Sequence, residues 1–139
     1  MYKRILVTLD ATDADQTILS HIIPLAKMFR SGIILLHVAD GWAARMYGAD
    51  AVSPEVTEDR AYLAKIKSQL EAEGLAAETE LAYGEPATEI VRWVRREHCD
   101  LIAMTTHGHR FLADLFLGKT AVHVQHQVDV PILLVRVKA

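Results

Sequence analysis

Five short apolar runs punctuate the chain: RILVTL (4–9), GIILLHV (32–38), AETELAY (77–83), DLIAMTT (100–106) and VPILLVRV (130–137). Four of them carry Ile, Leu and Val with little alternation, the pattern of strands covered on both faces and therefore of a parallel sheet. AETELAY alternates and reads as an edge strand. Between the runs the spacing turns helical. Asp13 and Gln16 fit a capping box, and Ile18, Ile22, Leu25 and Phe29 form the apolar stripe of the helix that follows. Ser53 as N-cap and Pro54 at the first position open a second helix, with Val56, Leu63, Ile66 and Leu70 at helical spacing and Gly74 as its stop. Pro86 starts a third helix with Ile90, Val91 and Val94 inward. A fourth, over 119–127, is expected to turn Val122 and His126 inward. The longest irregular stretch is 39–53, and a loop of that length is usually functional or mobile.

Strands and helices that alternate in this way predict an α/β fold: a five-stranded parallel doubly wound sheet with helices on both faces. Right-handed crossovers then require one reversal of winding. With strand one central, the strand order is 3-2-1-4-5 and the reversal falls between strands one and four. Ligands of such sheets bind at that reversal, outside the carboxyl ends of the strands. Asp10, closing strand one, is thereby set opposite Thr105–Gly108.

Composition narrows the class. A length of 139 residues suits one domain, 1–139, and 51% hydrophobic with 24% charged residues is globular rather than disordered. The net charge of −3 speaks against a broad nucleic-acid surface. The lone cysteine, Cys99, has no partner for an internal disulfide. Charge arrives at Asp10, too early for a signal peptide, and no apolar run approaches the ~20 residues that span a bilayer. The expectation is a cytoplasmic protein without membrane insertion.

Candidate chemistry concentrates in TTHGHRFLADLFLGKT (105–120). Gly108 follows a strand, where a missing Cβ permits a sharp turn or close approach to a ligand. Gly118 precedes a helix start, whose free N–H groups favour an anion, with Lys119 and Thr120 adding a charge and a hydroxyl. The alternative is that both glycines serve only the chain path. A Walker loop is excluded, because Ala113 stands where its first glycine belongs. His107 and His109 flank Gly108 and could meet phosphates. Asp10 could accept hydrogen bonds from a ribose or base edge, or bond to backbone N–H groups within its own DATD turn.

Other constellations carry less. His123 and His126 sit at i, i+3 but lack the accompanying ligands of a metal site, so none is expected. No Gly-x-Ser-x-Gly elbow exists, and Cys99 lies away from the predicted crevice. Turn and helix-start needs account for YGEPATEI (83–90). Trp42, Met46 and Tyr47 could cover a planar ligand or pack down as a lid.

Taken together, YKRILVTLDATD, ILLHV, YGEPATEIVRWV, DLIAMTTHG and DVPILLVR resemble the universal stress protein family over nearly the whole chain. ATP-binding members carry Gly, two residues, Gly, nine residues, then Gly and Ser or Thr. On this chain those places fall on Thr105, Gly108, Gly118 and Lys119, with Thr120 next. Two glycines match, while Thr105 and Lys119 depart, and position 111 is the bulky Phe. The resemblance implies that Asp10 holds the ribose and adenine end, that the Val38 backbone contacts adenine, and that Gly108, Gly118, Lys119 and Thr120 meet the phosphates. ATP, with or without magnesium, is the implied cofactor, and the implied role is a sensor or regulator of an unidentified protein in stress response. Hydrolysis would be slow at most. The rival reading is a nucleotide-free interaction module. Strand five (Val130 to Val137) is an apolar edge, a liability unless paired, and the family commonly pairs it with its copy in a homodimer.

Overall fold

The computed structural model describes residues 1–39, 54–106 and 120–137. The elements are β1 (Arg4–Thr8), α1 (Ala14–Phe29), β2 (Gly32–Ala39), α2 (Pro54–Ala72), β3 (Ala76–Tyr83), α3 (Pro86–Arg96), β4 (Leu101–Thr105) and β5 (Ile132–Val135). The helical residues 120–127 form α4. All five strands are parallel and run in the order β3-β2-β1-β4-β5, so the expected topology holds and AETELAY is indeed an edge strand.

The central strands of the sheet are buried on both faces because their neighbouring positions feed two different cores. Ile5, Val7, Ile33, Leu35, Leu101 and Ala103 pack with Ile18, Ile22 and Ala26 of α1 and Leu63, Ile66 and Leu70 of α2. Leu6, Ile34, Leu36, Ile102 and Met104 pack with Ile90, Val91 and Val94 of α3 and Val124 of α4. A period of two along each strand with apolar residues at both phases is what gives an unbroken hydrophobic run. At the amino ends, the Asp100 carboxylate accepts the N–H groups of Lys3 at 2.9 Å and Arg4 at 3.1 Å, tying the start of β1 to that of β4.

Three local expectations are corrected. Asp13 occupies the cap position of α1 with helical angles (φ −60°, ψ −19°) and makes no side-chain cap bond. A capping carboxylate needs an extended residue to reach back to the first turn. The Thr12 hydroxyl does that work, accepting the Ala14 N–H at 3.3 Å. In α4, Val122 is 48% exposed and His126 is exposed, whereas Val124 is fully buried. Phe29, placed in the α1 stripe, is exposed and meets the Tyr2 ring edge-on at 5.4 Å.

Two turns need glycine for conformation: Gly74 stops α2 at φ +85°, and Gly84 turns the chain into α3 at φ +127°. At Gly84 an added Cβ would meet only the Glu89 side chain at 3.9 Å, so backbone angle rather than space makes the demand. Glu85 then caps α3, accepting the N–H groups of Ala87 and Thr88 at 3.1 and 2.8 Å. The Ser53 cap, the residues 40–53 and the side chains Trp42, Met46 and Tyr47 lie outside the described residues.

Candidate functional site

The crevice forms where two strands part. Pairing of β1 with β2 continues to Thr8↔Leu36, but pairing of β1 with β4 ends at Val7↔Ala103. Beyond that point the Thr8 hydroxyl makes a long 3.5 Å contact to the Ala103 carbonyl. Helices α1 and α2 cover one face there and α3 and α4 the other, so the winding reverses at this gap. A cavity of about 260 Å3 opens on the α3 and α4 side of the carboxyl edge. Leu36, Val38, Ile90 and Met104 give it apolar walls, while Thr8, Asp10 and Thr120 contribute polar groups.

Of the residues singled out from the sequence, Asp10, Val38 and Thr120 line this one cavity. Thr105, which is buried, does not line it. Its hydroxyl instead lies 3.4 Å from Asp10 Oδ2, donating to the carboxylate across the crevice. His107, Gly108, His109, Gly118 and Lys119, together with Phe111, lie outside the described residues.

Asp15 bonds back into the turn that begins at Asp10. Its carboxylate accepts the N–H of Asp10 at 2.8 Å and of Ala11 at 2.9 Å, and the Tyr62 hydroxyl of α2 donates to it at 2.7 Å. Asp15 is fully buried. Burial pushes its carboxyl up from the ordinary value, and the N–H groups of Asp10, Ala11 and Thr12 and the Tyr62 hydroxyl pull back only part of that rise. Burial also pushes the Tyr62 phenol up, reinforced by the adjacent Asp15 carboxylate.

A second, partly buried polar contact lies at the end of β2. His37 Nδ1 lies 2.8 Å from the Leu9 carbonyl, which can only accept, so that nitrogen carries a proton. Its Nε2 lies 3.3 Å from Asp59 Oδ2 of α2, an ionic contact when this nitrogen is also protonated. Asp59 and Tyr62 are three residues apart on one helix face; Asp59 reaches His37 of β2 and Tyr62 reaches Asp15 in the first turn of α1. Sequence reasoning missed Asp15, Tyr62, His37 and Asp59. The partners are 47 and 22 residues apart, and no local pattern links them.

Comparison with known proteins decides the family. Residues 1–136 match the family model described as the universal stress protein family. The chain belongs to the universal stress protein family.

Universal stress protein MJ0531 of Methanocaldococcus jannaschii is 30% identical, over 98% of this chain and 83% of its own length. The solved structure of MJ0577 from the same organism superposes with a TM-score of 0.83 at 28% identity, covering 99% of this chain and 98% of its own. A universal stress protein from Archaeoglobus fulgidus, solved in complex with dAMP, superposes with a TM-score of 0.70 at 18% identity, covering 96% and 97% of the two chains. The last likeness bears on the fold alone. As a universal stress protein, the chain keeps the five-stranded doubly wound sheet, and among its described residues no helix is long and apolar enough to cross a membrane.

Proposed function

We propose that this universal stress protein binds an adenine nucleotide in the β1/β4 crevice and acts as a nucleotide-dependent regulator. The observation that carries the reading is the cavity at the winding reversal, lined by Asp10 together with the apolar Leu36, Val38, Ile90 and Met104. An aromatic base suits such walls, and a ribose hydroxyl can donate to a carboxylate. At about 260 Å3 the cavity is just under the ~300–1,000 Å3 typical of small-molecule sites. It therefore suits the nucleoside, with the phosphates outside it. Thr120, on its wall, is the described residue nearest in sequence to that phosphate end, and the roles of Gly108, Gly118 and Lys119 rest on the motif. The Archaeoglobus fulgidus universal stress protein was solved in complex with dAMP, a ligand of the class proposed here. The test is calorimetric titration with ATP, with and without magnesium, on protein checked for carried-over nucleotide. Micromolar binding, about −8 kcal/mol, that weakens at least tenfold in Asp10→Ala supports the reading. An empty stock that does not bind ATP, or an unchanged affinity in Asp10→Ala, sinks it.

A second reading, a homodimeric interaction module, is favoured by one observation. Leu134 of the edge strand β5 is 46% exposed and Val122 of α4 48%, and a groove of about 270 Å3 lined by Pro131, Ile132 and Leu134 lies between these elements. Pairing with a second copy would cover both edge and groove. Sedimentation equilibrium tests it directly.

A further inference from the structure

The turn that presents Asp10 is held from behind by a buried carboxylate. We infer that Asp15, with Tyr62 bonded to it, is the positioning residue for Asp10: it fixes the backbone from which the Asp10 carboxylate reaches the ribose end of the crevice.

The inference rests on the proposed nucleotide reading and adds the device that sets the ligand-facing group. Its first support is the bonding pattern. Both Asp15 oxygens are engaged, Oδ1 by the Asp10 N–H at 2.8 Å and Oδ2 by the Ala11 N–H at 2.9 Å and the Tyr62 hydroxyl at 2.7 Å. The second is backbone strain. Ala11 stands at φ +61°, a left-handed conformation that a residue with a Cβ adopts only when its surroundings impose it. Two N–H groups turned toward one buried carboxylate impose it.

The third support is placement. An acidic residue in the first turn of a helix is ordinarily exposed and helps through the helix dipole. Asp15 is instead 0% exposed, and the N-terminal cap of α1 is supplied by Thr12. Burial raises the carboxyl despite the hydrogen bonds it accepts, so the ionised form is held at a cost to the fold. Stability alone does not ask for a carboxylate there. A turn that must hold Asp10 in one place does. The Tyr62 hydroxyl of α2 and the N–H groups of Asp10 and Ala11 face Asp15, so the tie spans α1, α2 and the turn after β1, while the carboxylates of Asp15, Asp13 and Asp10 all bear on the Tyr62 phenol.

The experiment compares ATP with 2′,3′-dideoxy-ATP by calorimetry on the full chain, for wild type, Tyr62→Phe and Asp15→Asn, with thermal melts to verify folding. Wild type should prefer ATP. Each variant should lose about three- to tenfold in ATP affinity while its affinity for the dideoxy nucleotide stays within about twofold of wild type, so that discrimination collapses. Tyr62→Phe removes one hydroxyl only and serves if Asp15→Asn fails to fold. Folded variants that keep the wild-type preference overturn the inference, as do variants that weaken both nucleotides equally. Wild type that binds neither nucleotide overturns the nucleotide reading itself and this inference with it.

Discussion

The hydroxyl of Thr105, at the end of β4, lies 3.4 Å from the carboxylate of Asp10, just past the end of β1. The two strands that part to make the crevice are thus rejoined by a side-chain contact at its rim. Thr105 occupies the place of the first glycine in the ATP-binding family motif, where a side chain reads as an obstruction. Its side chain does not line the cavity, so its effect on a ligand passes through Asp10. Thr105→Val keeps the bulk and removes the donor. At this length the bond contributes at the low end, about 0.5–1 kcal/mol. ATP affinity should fall two- to fivefold by that estimate, and Thr105→Ser should restore it. Tighter binding by Thr105→Val would show that the hydroxyl competes with the ligand for Asp10.

Acid stability should depend on Asp100 with a definite sign. Burial would raise its carboxyl, but the N–H groups of Lys3 and Arg4 outweigh that and hold it below the ordinary value of 3.8. A depressed carboxyl stabilises the fold at pH above that ordinary value and loses the contribution as pH falls through the depressed one. Asp100→Asn should cost about 1 kcal/mol at neutral pH, allowing for solvent screening of a partly exposed group. Urea midpoints measured from pH 7 down to pH 2 should begin to converge for the two proteins below pH ~4 and meet only once the pH has fallen through the depressed value. Asp15 has the opposite sign: its raised carboxyl opposes folding once ionised, so it cannot be the source of an acid-side loss.

The sheet was readable because its strands had no choice of face. A run such as GIILLHV is apolar at both phases, so it is buried however it is rotated, and a parallel sheet is the arrangement that covers it. In α4 the same reasoning failed on a small scale. Val122 and Val124 are two residues apart, about 200° around a helix, so only one can face the sheet. With Ala and polar residues around them the period leaves that choice open, and the structure buries Val124. At the site, Asp10 and Thr105 could be placed opposite each other from topology alone. The support behind them could not, because a buried carboxylate in DATDAD looks like any acidic helix start until Tyr62 arrives from another helix to meet it.

Cys99 should be chemically quiet in the folded protein. Burial pushes its thiol up to about 11, and it is 4% exposed beside β4. The thiolate is the reactive form, and little of it exists at neutral pH. Iodoacetamide at pH 7.5 should therefore leave Cys99 unmodified over hours and label it in urea with the unfolding transition. Rapid labelling without unfolding would mean that the segment between α3 and β4 opens locally.

The edge of β5 offers the test that separates assembly from ligand binding. Leu134 is the exposed apolar residue of that strand, and a positive charge there would have to be desolvated in any strand-to-strand contact. If β5 pairs with its copy, wild type should sediment at twice the 15.5 kDa chain mass and Leu134→Arg at the single mass. The crevice lies at the carboxyl edge between β1 and β4, and Leu134 is not among its lining residues. Monomeric Leu134→Arg should therefore bind ATP within about twofold of wild type, less than ~0.5 kcal/mol. Loss of binding with the dimer would mean that the partner copy completes the site, and the two readings of this chain would then be one.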